Sequence, residues 1–206
     1  MKKIISISLA CLLIAGLFSA CGDSLVADSD TVYVQKKGKV ICAAISDFDK
    51  EYYDEDELRK YIEERVQAYQ EENGKNSVEI DSFTVEDKVA TLYMKYKDCD
   101  TYQDFNEVTL FSGTVPQALA AGFNFNTEFT EVKEGKAAGS VANTTVMDSD
   151  LKVVVLSEKI DVKVDGTVQY MSSDYTTIKA KDIVSIEVPQ EEKDGAEMSL
   201  VYIVYK

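Results

Sequence analysis

Apolar and polar positions repeat along this chain with two different periods, and the change from one to the other marks its elements. Residues 31–36 and 39–46, around Lys37-Gly38, are rich in β-branched and aromatic side chains and predict a first hairpin. Over residues 54–73 the period lengthens. Leu58, Tyr61, Ile62, Val66 and Tyr69 recur at steps of three and four, while Glu57, Lys60, Glu63, Glu64, Gln67 and Gln70 fill the other side. This is the clearest helix of the chain, and its stripe places Leu58, Ile62, Val66 and Tyr69 in the core. Asp54 with Glu57 three residues on forms a capping-box pattern, and Gly74 is placed to end the helix in the left-handed region.

Two strand-like runs, 77–85 and 89–97, follow around Glu86-Asp87-Lys88, then a helical turn at 101–106 and a run at 108–112. Thr114 has Gln117 three residues later and Pro116 in the first turn, which predicts a short helix over 115–121, stopped by Gly122. Residues 123–132 resume as a strand. Residues 135–143 are small and weakly apolar and suggest an internal boundary. No helical period follows: runs at 151–156, 159–164, 167–171, 183–188 and 198–205 read as strands, and Asp165-Gly166 between two of them is the strongest hairpin signal present. The expected fold is α+β. An antiparallel sheet from residues 31–134 is covered by the one long and one short helix, and an all-β C-terminal portion, 144–206, either extends that sheet or forms a small unit of its own.

The N-terminus follows a different logic. Lys2 and Lys3 precede an apolar run at residues 4–18, and Ser19-Ala20 sets small residues before Cys21, the order of a cleaved secretory signal. At about 15 residues the run is short of the roughly 20 that span a bilayer. Leu17-Phe18-Ser19-Ala20-Cys21-Gly22 resembles the lipobox of bacterial lipoproteins. That resemblance implies residues 1–20 as signal peptide, Cys21 as the lipidated mature N-terminus, residues 21–30 as a tether, and a protein held on the extracytoplasmic face of the cell membrane. A plain signal cut after Ala20 is the competing reading.

Further along, Tyr53-Asp54-Glu55-Asp56-Glu57-Leu58, Asp104-Phe105-Asn106-Glu107-Val108, Phe111-Ser112-Gly113-Thr114-Val115, Gln117-Ala118-Leu119-Ala120-Ala121-Gly122 and the ending Val201-Tyr202-Ile203-Val204-Tyr205-Lys206 resemble an uncharacterised lipoprotein family of Gram-positive clostridial gut bacteria. The likeness covers most of the mature chain. Its motifs are structural phrases, so it implies a location and a coherent fold and supplies no catalytic residue.

Charge narrows the partners. The 206 residues carry 22 Lys+Arg against 37 Asp+Glu; without Lys2 and Lys3 the mature part has 20 against 37, a net of −17. Such a surface repels nucleic acid and anionic headgroups, so membrane contact is expected through the acyl chains and not through a basic patch. Histidine is absent, which removes Ser-His-Asp and Cys-His relays and imidazole-ligated zinc. Gly-x-Ser-x-Gly, His-Glu-x-x-His and the dinucleotide glycine pattern are missing too. No cofactor is indicated.

Of four cysteines, Cys11 lies in the signal and Cys21 is the lipidation site. Cys42 and Cys99 remain, either as two unreactive thiols or as a disulfide that an exported domain could keep. Neither is set up as a thiolate, one lying in an apolar run and the other between Asp98 and Asp100. The acids Asp47, Asp49, Glu51, Asp54, Glu55, Asp56 and Glu57 do not form an EF-hand loop, because Tyr52 stands where glycine is needed and Leu58 where glutamate is; half of them suit a helix entry. Phe48, Tyr52 and Tyr53 interleave with these acids, as a ligand platform or as packing under the helix entry. Gly113-Thr114-Val115-Pro116 has neither the glycines nor the lysine of a phosphate loop.

These readings converge on a non-catalytic binding or assembly module of the envelope, with an envelope component or protein as partner. A solute receptor feeding a transporter and a carboxylate-dependent hydrolase are the competitors.

Overall fold

β-Branched and aromatic side chains dominate the buried positions, and their stiff χ1 and fit to a pleated surface favour strands. The computed structural model describes residues 25–187 and 199–206. Among these, strand outweighs helix, 43% against 22%, so the fold is mixed but mostly β. In chain order come β1 (Thr31–Val34), β2 (Val40–Asp47), α1 (Glu55–Asn73), β3 (Val78–Glu86), β4 (Val89–Tyr96) and α2 (Cys99–Asn106). Then follow β5 (Leu110–Thr114), α3 (Val115–Ala120), β6 (Phe129–Lys133), β7 (Lys136–Val141) and α4 (Asn143–Met147). Strands complete the chain: β8 (Lys152–Leu156), β9 (Asp161–Val164), β10 (Val168–Ser172), β11 (Thr176–Ala180), β12 (Ile183–Ile186) and β13 (Val201–Tyr205).

They form a seven-stranded sheet, β11-β12-β9-β1-β2-β4-β3, and a six-stranded sheet, β5-β8-β13-β10-β6-β7. Neighbours run antiparallel except β1 and β9, which are parallel with Val32 opposite Val162. Strand alternation gives each sheet two faces. Val32, Val34, Val40, Val162 and Val184 of one sheet share a core with Leu110, Val154, Leu156, Met171 and Ile203 of the other, the interior of a sandwich. The outer face of the six-stranded sheet is closed by α3 and α4, with Val115, Ala118, Phe125, Phe129 and Val146 all inaccessible to solvent. On the outer face of the seven-stranded sheet Tyr33, Ile41 and Ala43 are covered by Leu25.

Several local expectations hold. β1 and β2 pair as a hairpin. The two-residue turn Asp87-Lys88 has φ of 51° and 64°, the positive values of the turn type that matches strand twist. The Asp54 side chain caps α1 by accepting from the Glu57 N–H at 2.9 Å, and Gly74 ends it with φ 94°. At α3 both halves of the Thr114/Gln117 capping box are made.

The layout differs from the expected one. Both halves of the chain contribute strands to both sheets, so residues 144–206 neither extend one sheet nor stand apart, and they begin within α4. The short helix does not share a sheet with α1; it covers the other one. Residues 135–143 make edge strand β7 and enter α4. Asp165-Gly166 is not a hairpin turn: β9 pairs with β1 and β12, whereas β10 pairs with β13 and β6, so the dipeptide carries the chain from one sheet to the other. Glycine is needed at 166 for a close approach, since a Cβ there would lie 2.4 Å from the Lys206 carbonyl oxygen.

Candidate functional site

The long helix sits on the inner face of the seven-stranded sheet, beside the region that the other sheet covers. Its C-terminal half is docked. Val66 is buried among Val78, Met94, Tyr96 and Phe105, and the Tyr69 ring meets Phe105 edge-on at 5.2 Å while its hydroxyl donates to Asp104 at 2.8 Å. Arg65 donates to the Phe105 carbonyl at 2.7 Å with its guanidinium 4.6 Å over that ring, and Gln70 donates to the Val78 carbonyl.

The N-terminal half stands off the sheet. Leu58 and Ile62, expected in the core, are only half-buried, and Tyr61 is 60% exposed. The cause lies in the facing strands. Alternation points Cys42, Ala44 and Ser46 of β2 toward the helix, with Ala90, Leu92 and Met94 of β4 beside them, Ser46 paired with Ala90 and Ala44 with Leu92. Three small side chains in that row leave room that Leu58 and Ile62 do not fill. The result is an apolar groove of about 290 Å³, walled by Phe83 and Leu92 and ending at Tyr96, Phe105 and Asn106. Arg59 lies 4.8 Å over the Phe83 ring at its side.

Beneath the groove is a buried polar network. Tyr102 donates to Glu158 at 2.7 Å and stacks edge-on against Tyr96 at 4.9 Å; Asn106 donates to the Tyr102 carbonyl. Burial pushes the Cys42 thiol up to about 12, and the nearby Glu158 carboxylate adds to the shift. Burial likewise raises Tyr96 and Tyr102, and raises Glu158 against the opposing effect of its Tyr102 hydrogen bond. The thiol and phenols at the floor are therefore neutral at ordinary pH, poor nucleophiles and poor bases. Among the described residues no buried side-chain nitrogen or oxygen lacks a partner.

Cys42 and Cys99 are both free thiols, and burial raises Cys99 to about 12 as well. Phe48, Tyr52 and Tyr53 do come together in the loop between β2 and α1, with Phe48 and Tyr53 centroids 5.0 Å apart and Tyr52 and Tyr53 4.9 Å. Tyr52 is 78% exposed, so the cluster is a surface feature at the acidic helix entry and not buried packing beneath it. Among the described residues no three Cys, Asp or Glu side chains are grouped to hold a metal ion, and no helix is long and apolar enough to cross a membrane. Cys21 lies outside the described residues.

Ala44, Ser46, Phe83, Ala90 and Phe105 were not singled out by the sequence. For Ala44 and Ser46 the signal is the run of small residues on one face of β2, which carries meaning once the helix is known to lie over that face. No family model, curated protein or solved structure matches the chain.

Proposed function

We propose that the protein is a lipid-anchored, extracytoplasmic lipoprotein of the clostridial type its sequence resembles, and that it acts as a non-catalytic binding or assembly module of the cell envelope. The observation that carries this reading is the uncovered half of the α1 stripe: Leu58, Tyr61 and Ile62 over a sheet face with too little side chain to meet them. At about 290 Å³ the groove falls just below the 300–1,000 Å³ usual for small-molecule sites, which suits one or two inserted side chains better than an enclosed solute. It is flanked by the acids Asp47, Asp49, Glu51, Asp54, Glu55, Asp56 and Glu57. The fitting partner is a protein segment with apolar side chains flanked by lysine or arginine, anchored in the groove and steered by charge. The neutral thiol and phenols of the floor favour binding over catalysis.

The test uses the intact protein with two short synthetic peptides, alternating Leu with Lys or Leu with Glu. The Lys peptide should bind, with an affinity that falls in salt, and the Glu peptide should not. Ala44→Leu, which fills the groove from an exposed position, should abolish binding while leaving the circular dichroism unchanged. Equal binding of both peptides, or no loss in Ala44→Leu, rejects the groove. Anchoring is tested separately: a fatty-acid probe should label the wild type in cells and not Cys21→Ala, and equal label in both rejects it.

A further inference from the structure

The net charge conceals a segregation along the strands of the seven-stranded sheet. At the β1–β2 turn end stand Lys36, Lys37 and Lys39, joined by Lys75 from the α1–β3 connection and by Lys95 and Lys97 at the end of β4. Four of these, Lys39, Lys75, Lys95 and Lys97, line one shallow concavity in which Glu79 is the sole acid. Acids at this end include Glu79, opposite Lys95 in the ladder, Asp81, paired with Lys95, Asp98, 3.8 Å from Lys97, and Asp165, which accepts from the Lys36 N–H, with Glu72 and Asp100 close by in sequence to Lys75 and Lys97. The other end of the same strands, about 25 Å away along eight-residue β2, is its opposite. There Asp47, Asp49, Glu51, Asp54, Glu55, Asp56, Glu57, Glu86 and Asp87 stand with Lys50, which pairs with Asp49, Arg59, which pairs with Glu55, and Lys88.

A second observation concerns the chain's entry. Asp30 lies at the far end, its carbonyl accepting from the Asp161 N–H and its carboxylate from the Ile45 N–H. The Ala27 N–H donates to the Tyr93 hydroxyl, and Leu25 is buried against Tyr33, Ile41 and Ala43. Ile41 is the ladder partner of Lys95 and lies two residues from Lys39. Read backwards, residues 30 to 25 thus cross the outer face toward the lysine end. Four residues separate Leu25 from Cys21, a reach of at most about 14 Å. Within the expected tether, Leu25 and Ala27 are held on the sheet.

We infer that the lysine-rich end of this sheet rests on the anionic phospholipid headgroups of the membrane, orienting the domain so that the acidic entrance of α1 and its groove face outward. This rests on the lipid-anchored reading proposed above. The anchor brings this end within reach of the bilayer, and the negative surface potential attracts the lysines and repels the acidic end, so the two effects select one orientation. The expectation of membrane contact through acyl chains alone follows from the summed charge; the inference adds to it the distribution of that charge.

The intact protein, purified from membranes, would be reconstituted with vesicles of phosphatidylcholine alone or of equimolar phosphatidylcholine and phosphatidylglycerol. Flotation and acylation of each lysine by an amine reagent would then be read by mass spectrometry. Flotation on both vesicles is expected. Lys37, Lys39, Lys75 and Lys97 should become several-fold less reactive only where phosphatidylglycerol is present, and recover in about 1 M salt, where screening acts within about 3 Å; Lys60 and Lys136 should not change. In Lys36→Glu/Lys37→Glu, exposed turn positions, the protection of Lys75 and Lys97 should fall while flotation on phosphatidylcholine persists. Flotation on both with equal lysine reactivity overturns the inference and leaves the anchor standing. Flotation only with phosphatidylglycerol supports the lysine surface and overturns the anchor. Flotation on neither overturns both.

Discussion

Two helices cover β-sheet in this molecule, and they do it differently. On the six-stranded sheet the short α3 packs Val115 and Ala118, both inaccessible to solvent, into one cluster with Val153, Val155, Phe129 and Tyr202, and Val146 of α4 and Phe125 join it. On the seven-stranded sheet the much longer α1 buries Val66 alone and leaves half its stripe over a groove. Helix length and quality of periodicity do not decide closure. The facing row does: valines and aromatics in one case, Cys42, Ala44, Ser46 and Ala90 in the other.

The contrast can be broken most sharply in the closed layer. Phe129→Ala removes a fully buried ring that packs against Phe125 and Tyr202 and should cost about 3–5 kcal/mol in denaturant unfolding. A loss comparable to a surface change would mean the layer repacks. The two halves of α1 should then separate. Val66→Ala removes two buried methyl groups at about 0.8 kcal/mol each plus a small cavity, about 2 kcal/mol in all. Ile62→Ala, although the larger truncation, should cost only about 1 kcal/mol because its side chain already meets solvent. The reverse order would show the groove closed in solution.

The smallest effect comes from the network under the groove. Burial raises the Glu158 carboxyl above its ordinary value of 4.5, so the folded state holds that proton more tightly than the unfolded chain. Its contribution is complete below the unfolded value and is lost as pH rises through the folded one. Glu158→Gln keeps an acceptor for Tyr102 and loses the titration. Its stability should match the wild type near pH 4 and exceed it at neutral pH, as thermal melts across that range would show. A constant difference would place Glu158 in solvent.

The two ways of covering a sheet were unequally legible. Where an element is decided by neighbours in sequence, the reading succeeded: Asp54 and Gly74 bound α1, Thr114 and Gln117 cap α3, and Lys37-Gly38 turns β1 into β2. Which sheet a strand joins is decided by distant partners. Asp165-Gly166 is as good a hairpin signal as the chain contains, yet Val162 finds Val32 and Val184 instead of β10. Edge strand β11 carries a weak strand signal in sequence because Thr176-Thr177-Ile178-Lys179-Ala180 has one large apolar side chain and is half-exposed. The groove was illegible for the same reason as the sheet order, since an alanine reads as space only when its facing residue is known.

The position of β13 has a consequence for how the molecule comes into being. Residues 201–205 are an interior strand of the six-stranded sheet, hydrogen-bonded to β8 on one side and β10 on the other. β1, near the start, waits for β9 some 130 residues later. The seven-stranded sheet cannot be completed before residues 161–186 are available, nor the six-stranded sheet before residues 201–205 are. Such long-range closure is slow compared with helix formation. Until β13 is inserted, β5–β8 and β10–β6–β7 are two separate pieces with open strand edges, and one strand placed between them joins the sheet.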